Sequence, residues 1–160
     1  HSILRPTWIF DGEKDKISAT FIHLARKLRF FPFTWNPYGK RNPIDPQTIA
    51  KVIFLLTEVH NDVRQTIFNI GGCRVFNYSD LVRLILKRYE IKFIPVHLPL
   101  SCYLLTLRLL HAMGNLQNIQ PYMFEHMEQD LHIDNSKLPK MFQELVSRNS
   151  DDFWKRFDET

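Results

Sequence analysis

A pair of side chains near the end of the chain has the spacing of metal ligands. His126 and Asp130 are four residues apart, so they would share one face of a helix, and His132 follows closely. A zinc site needs at least three protein ligands, and no third ligand is evident beside this pair. The sequence therefore predicts no metal site. No Ser-His-Asp or Cys-His arrangement can be argued from residue order either, so hydrolase chemistry has no positive support.

Two other features are typical of binding or redox chemistry but favour simpler interpretations. The stretch "NIGG", from Asn69 to Gly72, ends a predicted strand but lacks the third glycine of a phosphate-binding turn. It predicts a plain strand-ending turn. Cys73 and Cys102 are far apart and have no C-x-x-C spacing. They predict two free, buried thiols in a reducing compartment rather than a disulfide framework or a zinc site.

Composition limits the class of protein to which these residues can belong. The 160 residues are 44% hydrophobic and 24% charged, which suits one folded domain and excludes a disordered chain. The net charge of +4 is compatible with an anionic ligand, a nucleotide or a membrane surface, and requires none of them. No signal-peptide pattern is visible, so we expect a cytoplasmic protein, with peripheral association with a membrane as an open alternative.

The strands that must position these groups can be predicted from apolar runs. "ILRPTWIF" at residues 3–10 and "TIFNI" at 66–70 have the composition of short buried strands, and "IKFIPVHLP" is extended. The proline-rich stretch "FFPFTWNPYGKRNP" is predicted to be a loop that holds a short edge strand from Phe33 to Trp35.

Helices are predicted between and after these strands. The first covers residues 17–30, and the second begins with Asp45 as its N-cap and Pro46 as its first residue. Asn77 is the predicted cap of the third. The face that the second helix should bury consists of Ile49, Ile53 and Leu56. Two later helices are predicted, from Tyr122 to Leu131 and from Lys137 to Ser147, followed by an aromatic tail, "DDFWKRF", that should dock.

The alternation of strands and helices predicts an α/β fold with a helical end. The strands at 3–10 and 66–70 have the continuous apolar character of strands that are buried on both faces of a parallel sheet. Two such strands cannot form that sheet alone, and bare apolar edges recruit a partner or aggregate. We therefore expect the sheet to be completed by residues outside this sequence.

The stretch from Leu100 to Leu110 is apolar on nearly all sides. It is too short to span a bilayer, which takes about 20 residues. Packing beneath a substrate lobe is one interpretation. Docking on a partner protein or a membrane surface is the other, and Lys87, Arg88 and Arg108 would favour an anionic surface.

In order and spacing, three stretches resemble the carboxyl-terminal half of an extended or atypical short-chain dehydrogenase/reductase, in the NAD(P)-dependent nucleoside-sugar epimerase/dehydratase superfamily. They are "ILRPTWIFDGEKD", "GKRNPIDPQTIAKVIFLL" and "TIFNIGGCRVFNYSDLVRLILKR". The matching positions are Arg5, Pro6, Ile9 and Phe10, then Pro43, Ile44, Ile49 and Ala50, then Asn69, Ile70, Gly71, Gly72, Tyr78 and Leu81. The resemblance covers about residues 3 to 147, and the later part is similar to the atypical branch that includes the 39-kDa accessory subunit of respiratory complex I.

The family's two hallmark motifs do not occur in this sequence. The G-x-x-G-x-x-G turn, which brings a helix N-terminus to the cofactor pyrophosphate, is missing, and so is the catalytic Y-x-x-x-K pair. "YEIK", from Tyr89 to Lys92, is one residue short of that pair, and we do not interpret it as catalytic. Departures within the matched half are Asp11 before Gly12, Gln47-Thr48 in place of the acidic pair, and Asp45 in place of histidine; these put the family's polar contacts there in doubt.

The resemblance implies a C-terminal portion of a Rossmann-type fold with a small helical substrate lobe, lacking the N-terminal dinucleotide-binding strands. It implies that Pro6, Thr7 and Trp8 lie where backbone groups approach the nicotinamide of NAD or NADP; closing a core strand is the alternative. Lys40, Arg41 and Asn42 could meet the phosphates of a nucleotide sugar, and a solvated basic loop is the alternative. No catalytic residue is predicted in this chain.

Two hypotheses of function follow. In the first, residues 1–97 belong to the dehydrogenase/reductase domain and 98–160 to a helical lobe. The chain is then the substrate-binding half of an NAD(P)-dependent nucleoside-sugar enzyme, inactive without a complementing half. In the second, it is a non-catalytic subunit of a larger assembly, like the complex I accessory protein. Binding of nucleic acid rests on charge alone and is not predicted.

Overall fold

The computed structural model describes residues 2–58, 67–99, 101, 102, 104, 105 and 126–158. The chain divides into two compact units. Unit 1 comprises His1–Asp11, Arg41–Phe76 and Leu131–Thr160, and unit 2 comprises Gly12–Lys40 and Asn77–Asp130. The division predicted between residues 97 and 98 falls beside the end of a strand and stays a prediction.

Four helices and six strands have their bounds within the described residues. The helices are α1 (Lys16–Leu28), α2 (Pro46–Glu58), α3 (Tyr78–Arg88) and α4 (Lys140–Asp158). The strands are β1 (Ile3–Pro6), β2 (Phe30–Thr34), β3 (Lys40–Arg41), β4 (Ile67–Ile70), β5 (Phe76–Asn77) and β6 (Ile94–Leu98). Two short 3-10 turns cover Gly12–Lys14 and Asn135–Lys137.

Unit 1 is built on β1 and β4, which pair in parallel with Ile3 opposite Ile67 and Pro6 opposite Ile70. Helices α2 and α4 pack together beside this pair. The core that they enclose consists of Ile44, Ile49, Val52, Phe68, Ile70, Leu138, Phe142 and Val146. Parallel strands joined through a helix confirm the predicted α/β class.

Only one face of the β1–β4 pair is covered by the described residues. Leu4 and Phe68 point toward the core, whereas Ile3 and Ile67 on the opposite face are 43% and 49% exposed. The expectation of burial on both faces therefore fails within this chain. Two helices on one side cannot cover both faces of a two-stranded sheet, so the face of Ile3 and Ile67, which also carries Arg5 and Asn69, stays exposed.

Unit 2 is built on β2 and β6, which also pair in parallel, with Phe30 opposite Ile94. Helices α1 and α3 pack against each other, and α1 packs on β2. The predicted short edge strand from Phe33 to Trp35 is wrong in its bounds, because β2 begins at Phe30 and Trp35 lies outside it. Residues 31–34 are all buried, since Phe31 and Phe33 both supply core contacts.

Helix starts were predicted correctly where a carboxylate caps the first turn. The Asp45 carboxylate accepts hydrogen bonds from the N–H and the hydroxyl of Thr48, at 2.9 and 2.6 Å. Asn77 precedes α3 as predicted, but its side chain makes no cap bond; it donates to the Asp80 carboxylate instead, at 3.1 Å. The predicted apolar face of α2 is also partly wrong. Ile49 is buried together with Val52, whereas Ile53 is 49% exposed.

The C-terminal helix is longer than its sequence pattern predicted. The helix expected to end at Ser147 continues as α4 to Asp158, so the aromatic tail is part of it and docks as expected. Most of the predicted helix from Leu100 to Leu110 and most of that from Tyr122 to Leu131 lie outside the described residues. Residues 101, 102, 104 and 105 are helical, and 126–129 form a turn. Within the described part of the chain, no helix has the length and apolarity needed to cross a membrane.

Candidate functional site

The carboxyl ends of β1 and β4 form the edge of unit 1 where ligand binding is expected from fold geometry. In open α/β sheets, ligands bind in the crevice beyond the carboxyl ends of parallel strands. Thr7 follows β1 directly and Gly71 follows β4, because Pro6 and Ile70 are partners in the register. The three residues predicted to approach a cofactor, Pro6, Thr7 and Trp8, therefore lie at this edge.

Both polar groups of Thr7 that can donate are engaged within the protein. Its N–H donates to the Ile70 carbonyl at 2.8 Å, and its hydroxyl donates to the Asn42 carbonyl at 2.7 Å. The Trp8 ring is partly buried and lies edge-on to Phe10, with 5.9 Å between ring centroids. Pro6 has no N–H to give. This segment can therefore offer a ligand mainly packing contacts, and its role toward a cofactor stays a prediction.

Asn42 joins this edge to a segment far away in the sequence. Its side-chain amide donates to the Ile133 carbonyl at 2.8 Å and to the Gly72 carbonyl at 3.2 Å, and its Oδ1 accepts from the Ile133 N–H at 3.0 Å. The residue is 2% exposed. The predicted contact with a substrate phosphate is untested, but these bonds give Asn42 a structural role that sequence reasoning missed.

A second asparagine, Asn135, makes a similar pair of bonds to Gly71. Its amide donates to the Gly71 carbonyl at 2.8 Å, and its Oδ1 accepts from the Gly71 N–H at 3.0 Å. Just before it, the pKa of the Asp134 carboxyl lies below its ordinary value because the hydroxyl and backbone N–H of Ser136 donate to it. Asn42 and Asn135 together form what we call the asparagine clamp, which holds residues 133–135 against the end of β4.

The two glycines after β4 donate their backbone N–H groups to the residues of this clamp. The N–H groups of Gly71, Gly72 and Cys73 donate to Asn135 Oδ1, the Asn42 carbonyl and Ser150 Oγ, respectively. A phosphate-binding turn needs such N–H groups to point at its ligand. Because the protein itself accepts all three, this geometry agrees with the plain strand-ending turn expected from the sequence.

Replacing Asn42 by alanine is expected to lower the free energy of unfolding by about 2–3 kcal/mol. The change leaves the partly buried Ile133 N–H and the Gly72 carbonyl without their side-chain partners, and each such loss costs about 1–3 kcal/mol. Urea denaturation followed by circular dichroism measures it. Asn69→Ala is the matched control, because Asn69 is exposed on β4 and should change stability by less than about 0.5 kcal/mol. Equal stabilities of the two variants would contradict a structural role for Asn42.

The two basic residues predicted to meet a substrate phosphate belong to different units. Lys40, in unit 2, is exposed, and its backbone N–H donates to the Asp130 carboxylate at 2.8 Å. Arg41, in unit 1, is only 6% exposed and forms an isolated bridge with Leu131. Of the two basic residues predicted to meet a phosphate, Lys40 is therefore the exposed one. Binding of a phosphate by either residue stays a prediction.

The loop that carries Lys40 also presents two aromatic rings that sequence reasoning did not single out. Trp35 is 71% exposed and Tyr38 is 59% exposed, directly after the carboxyl end of β2. The loop is held in place because the N–H groups of Tyr78 and Ser79 donate to the Gly39 and Pro37 carbonyls, at 2.9 and 3.0 Å. Large exposed rings on a fixed loop are typical of recognition surfaces. No sequence signal separates them from core aromatics.

The remaining groups that the sequence singled out are the two cysteines, His126 and Tyr89. Cys73 is partly buried and Cys102 is exposed, so the prediction that both thiols are buried is wrong. His126 Nδ1 lies 2.8 Å from Gln129 Oε1, and among the residues that the structure describes no three metal-ligating side chains come together. The Tyr89 hydroxyl accepts a hydrogen bond from the Glu13 N–H at 3.1 Å. Tyr89 therefore joins the start of unit 2 to the end of α3. The interpretation that "YEIK" is not a catalytic pair stays a prediction.

No protein-family model matches the chain, and no curated protein matches its sequence. Solved structures do match. UDP-glucuronic acid 4-epimerase from Bacillus cereus in complex with NAD is 13% identical, with 61% of this chain and 32% of that chain covered and a TM-score of 0.50. Its complex with UDP-glucuronic acid and NAD gives 12% identity, the same coverage and the same TM-score. UDP-glucose 4-epimerase from Thermotoga maritima with UDP-glucose is 15% identical. The match covers 61% of this chain and 32% of that chain, with a TM-score of 0.49.

The fold is part of a Rossmann-like short-chain dehydrogenase/reductase fold. The match covers about a third of the length of each Bacillus cereus chain. At these identities the likeness establishes the fold alone. It agrees with the fold expected from the sequence motifs.

Proposed function

We propose that the chain is the substrate-binding half of an NAD(P)-dependent nucleoside-sugar epimerase, dehydratase or reductase. The observation that carries this proposal is the fold match to the Bacillus cereus epimerase, which was crystallised with NAD and with UDP-glucuronic acid. The motifs that the sequence shares with this superfamily support it independently. The chain would be catalytically incompetent alone and would act with a complementing half that carries the glycine-rich turn and the Y-x-x-x-K pair.

The exposed face of the β1–β4 pair supports the proposal that a complementing half exists. Ile3 and Ile67 are register partners on the exposed face of β1 and β4, and both are more than two-fifths exposed. Parallel strands of a Rossmann-like sheet are covered on both faces in a complete domain. Residues supplied by the other half would cover this face and extend the sheet along its free edge.

The two halves would divide the work of the reaction. A bound NAD or NADP would supply hydride transfer, which belongs to the cofactor. Residues of this chain would bind and orient the ligands. In unit 1, Pro6 and Trp8 would pack near the nicotinamide. In unit 2, the exposed Lys40 would meet a phosphate of the nucleotide sugar. Because Thr7 already donates its hydroxyl and its N–H within the protein, we assign it a positioning role rather than a hydrogen bond to the cofactor.

Ligand binding by this chain can be followed through Trp35. The chain has three tryptophans. Trp35 is strongly exposed and lies on the loop that precedes Lys40, whereas Trp154 is fully buried. Titration with UDP-glucuronic acid or UDP-glucose should change tryptophan emission saturably, and the change should vanish in Trp35→Phe. Lys40→Ala should weaken binding about fivefold, as loss of one charge-assisted bond does. No response to either UDP-sugar at millimolar concentration would refute the nucleotide-sugar assignment.

NAD is the internal control of this titration. We expect no binding of NAD to the chain alone, because the glycine-rich turn that holds the pyrophosphate is not in its sequence. Sequencing the flanks of the gene and weighing the native protein intact would then locate the complementing half. If neither the native chain nor a co-purifying protein carries both missing motifs, the enzyme proposal fails.

The second candidate is a non-catalytic subunit of a larger assembly, similar to the complex I accessory protein. The observation that favours it is the outer face of α2, where Ile53 is 49% and Phe54 is 61% exposed. A helix that is apolar on most sides is usually buried in the complete structure. Native size-exclusion chromatography separates the candidates: an assembly subunit should elute in a large complex that lacks epimerase, dehydratase and reductase activity.

A further inference from the structure

Two helices of unit 2 end at one shared cleft that is rich in cations. The cleft measures about 330 Å³, and it is lined by Ala25, Arg26, Arg29, Tyr89, Glu90, Ile91 and Lys92. The last turn of α1 contributes Arg26 and Lys27, and the last turn of α3 contributes Lys87 and Arg88. We call the following six residues the basic surface: Arg26, Lys27, Arg29, Lys87, Arg88 and Lys92.

The charge of the basic surface is large compared with that of the chain. The six cations together with Glu13, which pairs with Arg26, and Glu90 of the cleft carry a summed charge of +4, and the whole chain has a net charge of +4. Cations near helix C-termini are stabilised by the helix dipole, which explains some of them. Arg29 and Lys92 lie beyond the last residues of α1 and α3, so stabilisation of the helix dipoles does not account for these two cations.

The backbone fixes these cations on a rigid frame. Arg29 adopts a left-handed conformation with φ of 60°, its N–H donates to the Ala25 carbonyl at 3.0 Å, and its carbonyl accepts from the Ile94 N–H at 3.0 Å. Glu90 is also left-handed, with φ of 54°, and its N–H donates to the Lys87 carbonyl at 2.9 Å. Both helix ends are therefore closed by ordered turns, and the side chains project from defined positions.

An exposed apolar side chain lies directly beside this charge. Ile94 is 68% exposed, and the hydrogen bond from its N–H joins it to Arg29. Four to eight clustered cations are typical of surfaces that bind anionic phospholipid headgroups, and an adjacent apolar residue can enter the boundary of the hydrocarbon layer. Recognition of single-stranded nucleic acid would require exposed aromatic platforms, whereas the one ring in this cleft, Tyr89, is only partly exposed and its hydroxyl accepts from Glu13.

We propose that the basic surface docks unit 2 on a membrane that contains anionic phospholipid, with Ile94 at the headgroup boundary. The basic surface belongs to unit 2, whereas the proposed cofactor contacts, Pro6 and Trp8, belong to unit 1. Attraction of this kind is screened by salt and adds up over the cations that face the membrane.

Co-sedimentation of the chain with vesicles tests this proposal. We expect binding to vesicles with about 30 mol% phosphatidylserine in phosphatidylcholine, none to phosphatidylcholine alone, and release when NaCl rises from about 0.05 M to about 0.5 M. The variant Lys27→Gln/Lys87→Gln/Lys92→Gln should bind about a hundredfold more weakly, because each cation contributes about fivefold. Ile94→Ser should weaken binding severalfold with the charge unchanged.

A charge-matched variant of unit 1 is the control. Lys137→Gln/Lys140→Gln/Arg148→Gln removes three exposed cations outside the basic surface and should alter binding less than about twofold. Circular dichroism confirms that each variant is folded. The proposal is overturned if phosphatidylserine vesicles do not bind the chain, or if the two triple variants lose binding equally. It is also overturned if a single-stranded oligonucleotide binds through these cations and the vesicles do not.

Discussion

Trp154→Ala is expected to lower the free energy of unfolding by about 4 kcal/mol. The Trp154 side chain is fully buried and packs among aromatic rings that come from both ends of unit 1. Its ring lies 5.4 Å from Phe10 in a stacked arrangement and 4.8 Å from Phe76, with Phe153 and Phe157 at 5.2 and 5.4 Å. Truncation to a methyl group leaves a large cavity and removes these contacts together. Urea denaturation followed by far-ultraviolet circular dichroism measures the loss without relying on tryptophan emission.

Trp154→Phe separates packing from polarity at the same position. Within the described part of the chain, Trp154 Nε1 is buried and has no hydrogen-bond partner. Because phenylalanine has no N–H to desolvate, this variant should recover most of the loss and destabilise by only about 1 kcal/mol. Phe153→Ala is a useful comparison, since Phe153 is partly exposed and should have a smaller effect than Trp154→Ala. A loss below about 1 kcal/mol for Trp154→Ala would contradict a central role for this ring.

The position of Trp154 shows how far local sequence patterns extend. Val146, Ser150 and Trp154 lie four residues apart and are all buried on one face of α4. A serine in the middle of that stripe, within the polar run "SRNSDD", hides the helical period, so the sequence predicted a helix only to Ser147. Ser150 is buried because its hydroxyl accepts from the Cys73 N–H at 3.2 Å, a bond between residues 77 positions apart. No local pattern signals such a contact.

The candidate site divides in the same way between local and distant interactions. Asp45 was predicted as a cap because an aspartate before a proline is a typical helix start, and its partner Thr48 is only three residues away. The strand predicted over residues 3–10 ends at Pro6, so Thr7 lies just beyond it and not inside it as expected. The bonds from Asn42 to Ile133 span 91 residues, and those from Asn135 to Gly71 span 64. Asn42 was accordingly predicted either to contact a ligand phosphate or to belong to a solvated basic loop, since its bonds to distant partners could not be foreseen. The phosphate contact stays a prediction.

Burial of α2 was misjudged for a related reason. Ile49 and Ile53 have helical spacing, and the sequence contains further apolar residues on almost every side of this helix. Periodicity shows that such a helix has an apolar face but not which face meets the core. Val52 occupies that position, and Ile53 is half-exposed, because α4 packs against only one side of α2.

Gly72→Ala is expected to destabilise the protein by about 4 kcal/mol, or to prevent folding of unit 1. A Cβ atom at this position would lie 2.0 Å from the Pro43 carbonyl oxygen and 3.0 Å from its carbon. Both are backbone atoms. The Gly72 N–H donates to the Asn42 carbonyl at 2.9 Å, so the segments that carry Gly72 and Pro43 cannot separate without breaking this hydrogen bond. Overpacking in such a place costs more than the usual 1–3 kcal/mol, because no side chain can rotate away.

Gly12→Ala is the matched glycine control for this result, measured by the same urea denaturation. At Gly12 the added methyl would meet the Tyr89 hydroxyl, at the far end of a side chain, and the φ of 60° adds a strain of about 1 kcal/mol. We therefore expect a clearly smaller loss than at Gly72. If Gly72→Ala were as stable as the unmodified chain but lost binding of a UDP-sugar, the glycine would serve ligand approach instead. The larger loss at Gly72 would establish that "NIGG" contains glycine because the end of β4 must approach the backbone of Pro43, and the phosphate-binding interpretation of these glycines would then have no support.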